Sequence, residues 1–249
     1  MLKEIVIAIQ SWGEAHRFIL QHKLWKWVLI PGFLYTILFI TGLIFFGESA
    51  TSVVEYITHI LQLSDWSQQF QNSLLGFLFT FAGIIFWLTL LIFYFSFLKY
   101  ICLIIGAPLF AYLSRKTESI IQNNEVNPNW PSVRSEAWRG VKMALRNWAW
   151  QTVYLIALLL LSLIPVVGWI TPLIVLFLEC YYYGFSMVDY GLARNGYSGQ
   201  QSVEFIGRHK GLALGNGILF FLMHLVMPFA PAYGIVAGTL TAHKVKSNL

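Results

Sequence analysis

Residues 158–183 read LLLLSLIPVVGWITPLIVLFLECYYY, an apolar run broken near its middle by Pro165, Gly168 and Pro172. The run is too apolar for a water-facing surface, yet each half has only about 14 to 18 residues, short of the ~20 that a helix needs to cross a bilayer. It therefore predicts a helical hairpin that dips into the membrane and turns back. Ile218 to His243 has the same grammar, with an apolar arm, the breaker Met227-Pro228-Phe229-Ala230-Pro231 and a second apolar arm. Backbone freed at such tips cannot face lipid, so it must be buried in protein or line a wet cavity. Paired broken helices point to a substrate site near mid-membrane.

The rest of the composition agrees with a membrane setting. The 249 residues are 57% hydrophobic and 11% charged, with mean hydropathy +0.66, where soluble domains carry about 25% charge. The fold class expected is all-α integral membrane. A net charge of +5 and a pI near 9.2 do not signal nucleic acid, because no soluble domain carries a basic patch of the size required. The N-terminus contains Glu4 and no small-residue cleavage site, so no removable signal peptide is expected. Cys102 and Cys180 lie far apart in apolar segments and are expected to be free, buried thiols. The six histidines lack metal-ligand spacing. No nucleophile elbow or phosphate-cradling loop is present, so no enzyme and no cofactor is expected. Gly211, Gly215 and Gly217 precede a membrane arm and follow no strand, which suits close helix packing.

In chain order, residues 1–26 form an amphipathic helix, with Ile5, Ile9, Trp12 and Ile19 on one face and Lys3, Gln10, Glu14, Arg17 and Gln21 on the other, the pattern of a helix lying in the interface. Residues 27–46 are a first span with Pro31 in its opening turn, and 47–73 a loop carrying Glu48, Glu55 and Asp65. Residues 74–105 would make a helix about 50 Å long, with Lys99 marking its exit and Gly106-Ala107-Pro108 ending it. The polar segment 106–150 holds a basic amphipathic helix, with Trp138, Val141, Leu145 and Trp148 on one face and Ser135, Arg139, Lys142 and Arg146 on another. The first hairpin (151–188), a polar loop (189–212), the second hairpin (213–243) and a tail (244–249) follow. No Lys or Arg falls between Trp27 and Leu98 or at either hairpin tip. By the positive-inside rule both termini, the central segment and the 189–212 loop are cytoplasmic, and 47–73 is outside.

Ala107-Pro108-Leu109-Phe110 with Leu113, Lys116 and Glu118, then Ile164-Pro165-Val166-Val167-Gly168, Asp189-Tyr190, Arg208, Gly215, Pro228 and Ala237-Gly238-Thr239 occur in an order that resembles the CysZ-like sulfate permease family of small bacterial inner-membrane proteins. The resemblance implies two long transmembrane helices plus two hemi-penetrating hairpins, assembled as a homo-oligomer that passes an inorganic anion, sulfate, across the inner membrane. The family's sulfate-binding Gly-Leu-Arg-Arg falls on Lys23-Leu24-Trp25-Lys26. There Lys26 keeps a cation without the forked donors of arginine, and Lys23 replaces the glycine whose backbone freedom lets amides close around an anion.

These residues set the candidate sites. Lys23, Trp25 and Lys26 stand at a helix N-terminus, where the dipole and free amides favour an anion. The plainer role of Lys23 and Lys26, snorkelling and setting topology, is the commoner one for flanking cations. Glu179 falls about 12 Å along the second arm of the first hairpin and shares a face with Tyr182, Tyr183 and Ser186. A carboxylate at that depth is a functional candidate, with a structural, protonated or hydrogen-bonded acid as the even alternative. His224 is placed to relay a proton or pair with Glu179, although a lone histidine among Leu and Met is more often a satisfied core residue. Arg115, Lys116, Arg194 and Arg208 form either a cytoplasmic funnel for anions or pairs with Glu118 and Asp189. Membrane lipids are the other partner, met by the basic helix and by the aromatics, 17% of the chain. Two function classes stand: a passive or proton-coupled anion permease, and a non-transporting membrane scaffold or partner-binding envelope protein on the same fold.

Overall fold

The computed structural model describes residues 1–60, 74–124, 130–162, 164, 166–224 and 229–248. They form α1 (Leu2–Gln21), α2 (Trp25–Ile60), α3 (Leu74–Ile121), α4 (Trp130–Ser162), a 3-10 turn (Val167–Ile170), α5 (Thr171–Arg194), α6 (Gly199–Arg208), α7 (Lys210–His224) and α8 (Ala230–Asn248). No strand occurs among the described residues. Among the described residues, four segments are long and apolar enough to cross a membrane: Trp25–Ser49, Gly76–Ile121, Trp130–Ser162 and Val167–Arg194. The protein is an all-helical membrane protein.

Several helices run past the points where composition alone would stop them. α2 continues to Ile60, so residues 47–60 are helical rather than loop, and Pro31 sits in its second turn. Residues 61–73, with Asp65, lie outside the described residues. α3 does not end at Gly106-Ala107-Pro108 but runs through Pro108 to Ile121. A proline inside a helix costs about 3 kcal/mol. Packing on either side offsets this, since Leu103, Ala107, Phe110 and Ala111 are all buried and the Phe110 ring lies against Gly106. Lys99 is buried within α3. The basic amphipathic stretch and the first hairpin arm are one helix, α4, of 33 residues, and the returning arm α5 has 24.

The chain divides into two compact units, one of Met1–Ile37, Tyr100–Trp148 and Glu179–Leu249, the other of Leu38–Lys99 and Ala149–Leu178. In the first unit α1 packs on α7 and α8, which also pack on each other. Its buried face is Ala8, Ser11, Trp12, Ala15 and Ile19, while Ile9, expected on the apolar face, is 51% exposed. The reason is close approach. A Cβ on Gly215 would come within 2.8 Å of Ala8 and one on Gly211 within 2.5 Å of the Met1 carbonyl, so small residues mark the contact. Glu4 fastens the end of α1 by accepting the Gly211 N–H (2.9 Å) and facing His209 Nδ1 (2.9 Å). In the interior Trp12 Nε1 donates to Asn216 Oδ1 (3.0 Å), whose amide donates to the Leu212 carbonyl (2.8 Å) and Thr241 Oγ1 (3.3 Å).

α5 meets α7 and α8 backbone to backbone. Gly217 lies on the Cys180 carbonyl, Gly184 on the Ala213 carbonyl, and Gly238 on the Met187 carbonyl. Only residues without a Cβ fit at these crossings.

The second unit is held mainly by rings. Phe39 stacks on Phe95 at 5.2 Å, Phe46 tilts onto Tyr94 at 5.1 Å, and Phe81 meets Trp169 edge-on at 4.9 Å. One buried polar tie crosses it, from Gln151 Nε2 to Ser96 Oγ at 2.7 Å. At the tip of the first hairpin Val166 takes φ 71° and Gly168 presses on Ser162, where a Cβ would lie 2.6 Å from the carbonyl oxygen. The Gly168 N–H donates to the Ile164 carbonyl (2.8 Å) and Thr171 Oγ1 to the Gly168 carbonyl (2.6 Å), satisfying backbone that no helix covers. Pro165, and Met227 with Pro228 of the second tip, lie outside the described residues.

Candidate functional site

The turn between α1 and α2 carries the first group of candidates. The Lys23 N–H donates to the Leu20 carbonyl (3.3 Å) and the Leu24 N–H to the Ile19 carbonyl (3.0 Å), with Lys23 at φ 52°. This is a Schellman cap, whose left-handed residue is usually glycine. Lysine adopts that conformation here at a cost of about 1 kcal/mol, so the shape expected to be lost with glycine is retained. α2 then begins at Trp25; the Trp27 and Val28 N–H groups donate to the Leu24 carbonyl (2.9 and 3.2 Å), which leaves those of Trp25 and Lys26 without a partner inside the helix. Lys23 and Lys26 are exposed beside them.

Aromatic residues brace this turn. Trp25 meets Tyr233 of α8 edge-on at 6.1 Å, and the Tyr233 hydroxyl bonds His16 Nδ1 at 3.0 Å. Trp27 packs on Tyr112 at 4.4 Å, with Lys116 Nζ over its ring at 5.5 Å. Lys116, expected in a funnel, thus stands near the same helix end.

A second group lies in the interior of the first unit. Tyr183 of α5 stacks on Phe220 of α7 at 3.9 Å, Phe220 stacks on His224 at 5.5 Å, and His224 meets Tyr35 of α2 edge-on at 4.8 Å. His224 Nε2 and the Tyr35 hydroxyl share a hydrogen bond of 2.8 Å. The i, i+4 spacing of Phe220 and His224 puts both rings on one side of α7. Glu179 is 4% exposed, one turn before Tyr183 on α5. Tyr183, Glu179 and His224 of this group are candidates from the sequence. Tyr35 and Phe220 are added to it by their contacts, their signal in the sequence being a phenol inside a charge-free span and an i−4 neighbour of the histidine.

The arginines expected in a funnel are committed differently from expectation. Arg115 and Arg194 both donate to Glu136 Oε1, and Arg115 also to Ser132. Asp189 is held by Arg139 (2.8 Å), which also donates to Ser202 Oγ (2.8 Å) and the Tyr197 carbonyl. Glu118 Oε1 accepts from Gln122 (2.7 Å) and faces His243 Nδ1 at 3.6 Å. The expected pairing of Arg115 and Arg194 with Glu118 and Asp189 is replaced because Glu136 and Arg139, on α4, reach them first. Arg208 is exposed in the last turn of α6, and among the described residues no hydrogen bond or ion pair joins it to either group.

The family model for sulfate transporter CysZ/etoposide-induced protein 2.4 matches residues 11–233. That span holds both groups of candidate residues. A search of curated proteins finds no match.

Proposed function

We propose, since the chain belongs to the family of sulfate transporter CysZ and etoposide-induced protein 2.4, that it is a permease for an inorganic oxyanion of the sulfate type. The observation that carries this reading is the turn at Lys23. It keeps the left-handed backbone of an anion-cradling glycine (φ 52°) while placing two exposed lysines at the positive end of α2. In this reading Lys23 and Lys26 gather the anion and the N–H groups of Trp25 and Lys26 receive it. The row Tyr35, His224 and Tyr183 lines the path inward. Glu179, 4% exposed and one turn before Tyr183, is the acid that stands beside this row. The protein resides in a bacterial inner membrane with both termini cytoplasmic, as a homo-oligomer, and the two hairpins enter and leave on the cytoplasmic side. No bond-making step is assigned to it.

The test is uptake of radiolabelled sulfate into proteoliposomes, beside empty liposomes. Uptake above background, reduced about tenfold in Lys26→Ala by loss of one charged hydrogen bond, is expected. Uptake that Lys26→Ala leaves unchanged removes the turn from the path. No uptake from folded protein turns the reading to a non-transporting membrane scaffold.

A further inference from the structure

Along α4, Arg139, Lys142 and Arg146 line an open pocket of about 350 Å³, together with Ser135 and Trp138. Among the described residues no carboxylate lines it. The acids nearest these cations are already engaged: Asp189 lies behind Arg139, and Glu136, on the same helix, is held by Arg115 and Arg194. Lys142 Nζ sits over the Trp138 ring at 5.6 Å and the Arg146 guanidinium over Phe185 at 5.8 Å, so both heads are positioned rather than swinging free. Ser135 and Trp138 form the shared wall between this pocket and a second hollow of about 640 Å³, lined by Ile104, Ile105, Pro108, Val141 and Arg134. Cavities of these sizes suit small-molecule ligands. The first is lined by three cations, and the second is mainly apolar with Arg134 as its single charge. Trp138 on the ridge between them is 59% exposed, as an indole at the headgroup level would be.

We propose that this face of α4 is a built site for one anionic phospholipid. Its phosphate sits among Lys142, Arg146 and Ser135, and an acyl chain lies over Ile104, Ile105 and Pro108. A free oxyanion would use the cationic pocket and leave the aliphatic wall of Ile104, Ile105, Pro108 and Val141 uncovered. A zwitterionic lipid would fill the hollow and leave the cations without a net counter-charge. The pairing of the two hollows across one wall selects a ligand with both parts. Pro108, which interrupts the hydrogen-bond ladder of α3, thereby also shapes the groove for the chain. This site is separate from the lysine turn and does not depend on the permease reading.

The experiment is binding of short-chain phosphatidylglycerol to the purified detergent-solubilised protein, followed by native mass spectrometry. Phosphatidylcholine of equal chain length and glycerol phosphate, which has no chain, are run alongside. Phosphatidylglycerol should bind in preference to both. Lys142→Gln should weaken it about fivefold, and Lys142→Gln with Arg146→Gln about twenty-five-fold, the effect expected of one and two surface charges, with phosphatidylcholine unaffected. Lys142 is exposed, so the single variant tests the site without risk to folding. Equal binding of the two lipids, or indifference of phosphatidylglycerol to both variants, overturns the proposal. Glycerol phosphate binding as tightly as phosphatidylglycerol also overturns it, and makes the pocket a site for a free oxyanion.

Discussion

The two hairpins share one sequence grammar and differ in build. The first consists of helices of 33 and 24 residues tied by polar side chains, Arg139 to Asp189 and Asn147 Nδ2 to Ser186 Oγ at 3.0 Å. The second has helices of 15 and 19 residues and is clasped from outside by α1 through the Trp12, Asn216 and Thr241 contacts. At ~1.5 Å per residue α7 is about 22 Å long, less than the ~30 Å hydrocarbon core. What separates the hairpins is the chain ahead of the first arm, a basic amphipathic stretch helical in register with the apolar arm that follows. The two fuse into one rod. Helix length therefore exceeds apolar length in the first hairpin, and the charge-free portion after Arg146 has only the reach that the sequence suggested.

This contrast can be broken at its ties. Asp189→Ala leaves Arg139 without its carboxylate and should cost about 3–5 kcal/mol, read as a large fall in the melting midpoint in detergent. In the second hairpin the exposed Glu14 to Lys244 pair (2.8 Å) is the counterpart, and Glu14→Gln should cost less than about 1 kcal/mol. Equal losses would mean that the first hairpin does not depend on its buried pair. Gly217→Ala drives a methyl into the Cys180 carbonyl, an obstacle that is backbone and cannot rotate away. It should cost about 2–3 kcal/mol, whereas Gly13→Ala, which meets nothing within 4 Å, should raise stability by about 0.5–1 kcal/mol. The smallest perturbation sharpens the comparison instead. Ile164→Cys sits at an exposed position of the first tip and should leave melting unchanged. An impermeant thiol reagent applied outside should label it far more slowly than a Gly47→Cys control, since the proposed hairpin stops short of the outer surface. Rapid labelling would mean that the long arms carry the tip across.

The all-helical membrane fold was legible because apolar run length is a one-dimensional property. Where helices end was not, since Gly106 and Pro108 act as breakers only when packing does not outweigh their cost. At Pro108 buried neighbours on both sides did. The candidate residues Lys23, Lys26, Glu179 and His224 stood out as polar groups in or beside apolar runs. Their partners did not, because Tyr35, Phe220 and Tyr233 look like ordinary membrane aromatics until the helices bring them together. The charge pairs were misassigned for the same reason: sequence gives the signs, while Glu136 and Arg139 won their partners by which face of α4 they occupy. The burial of Ala8 in place of Ile9 follows a similar logic. A hydrophobic face predicts lipid contact, but a helix that must approach glycines buries its small side.

The hydrogen bond from Trp12 to Asn216 joins residues 204 apart, and it has a consequence for how the chain is made. α1 leaves the ribosome long before α7 and α8 exist, so its permanent partners are missing during most of synthesis. Closing so distant a contact is slow. Over that interval the membrane surface is available to cover Trp12 and Ile19, which is the interfacial state the α1 sequence describes. The amphipathic pattern thus records a waiting position, and the glycine-lined seat on α7 the final one.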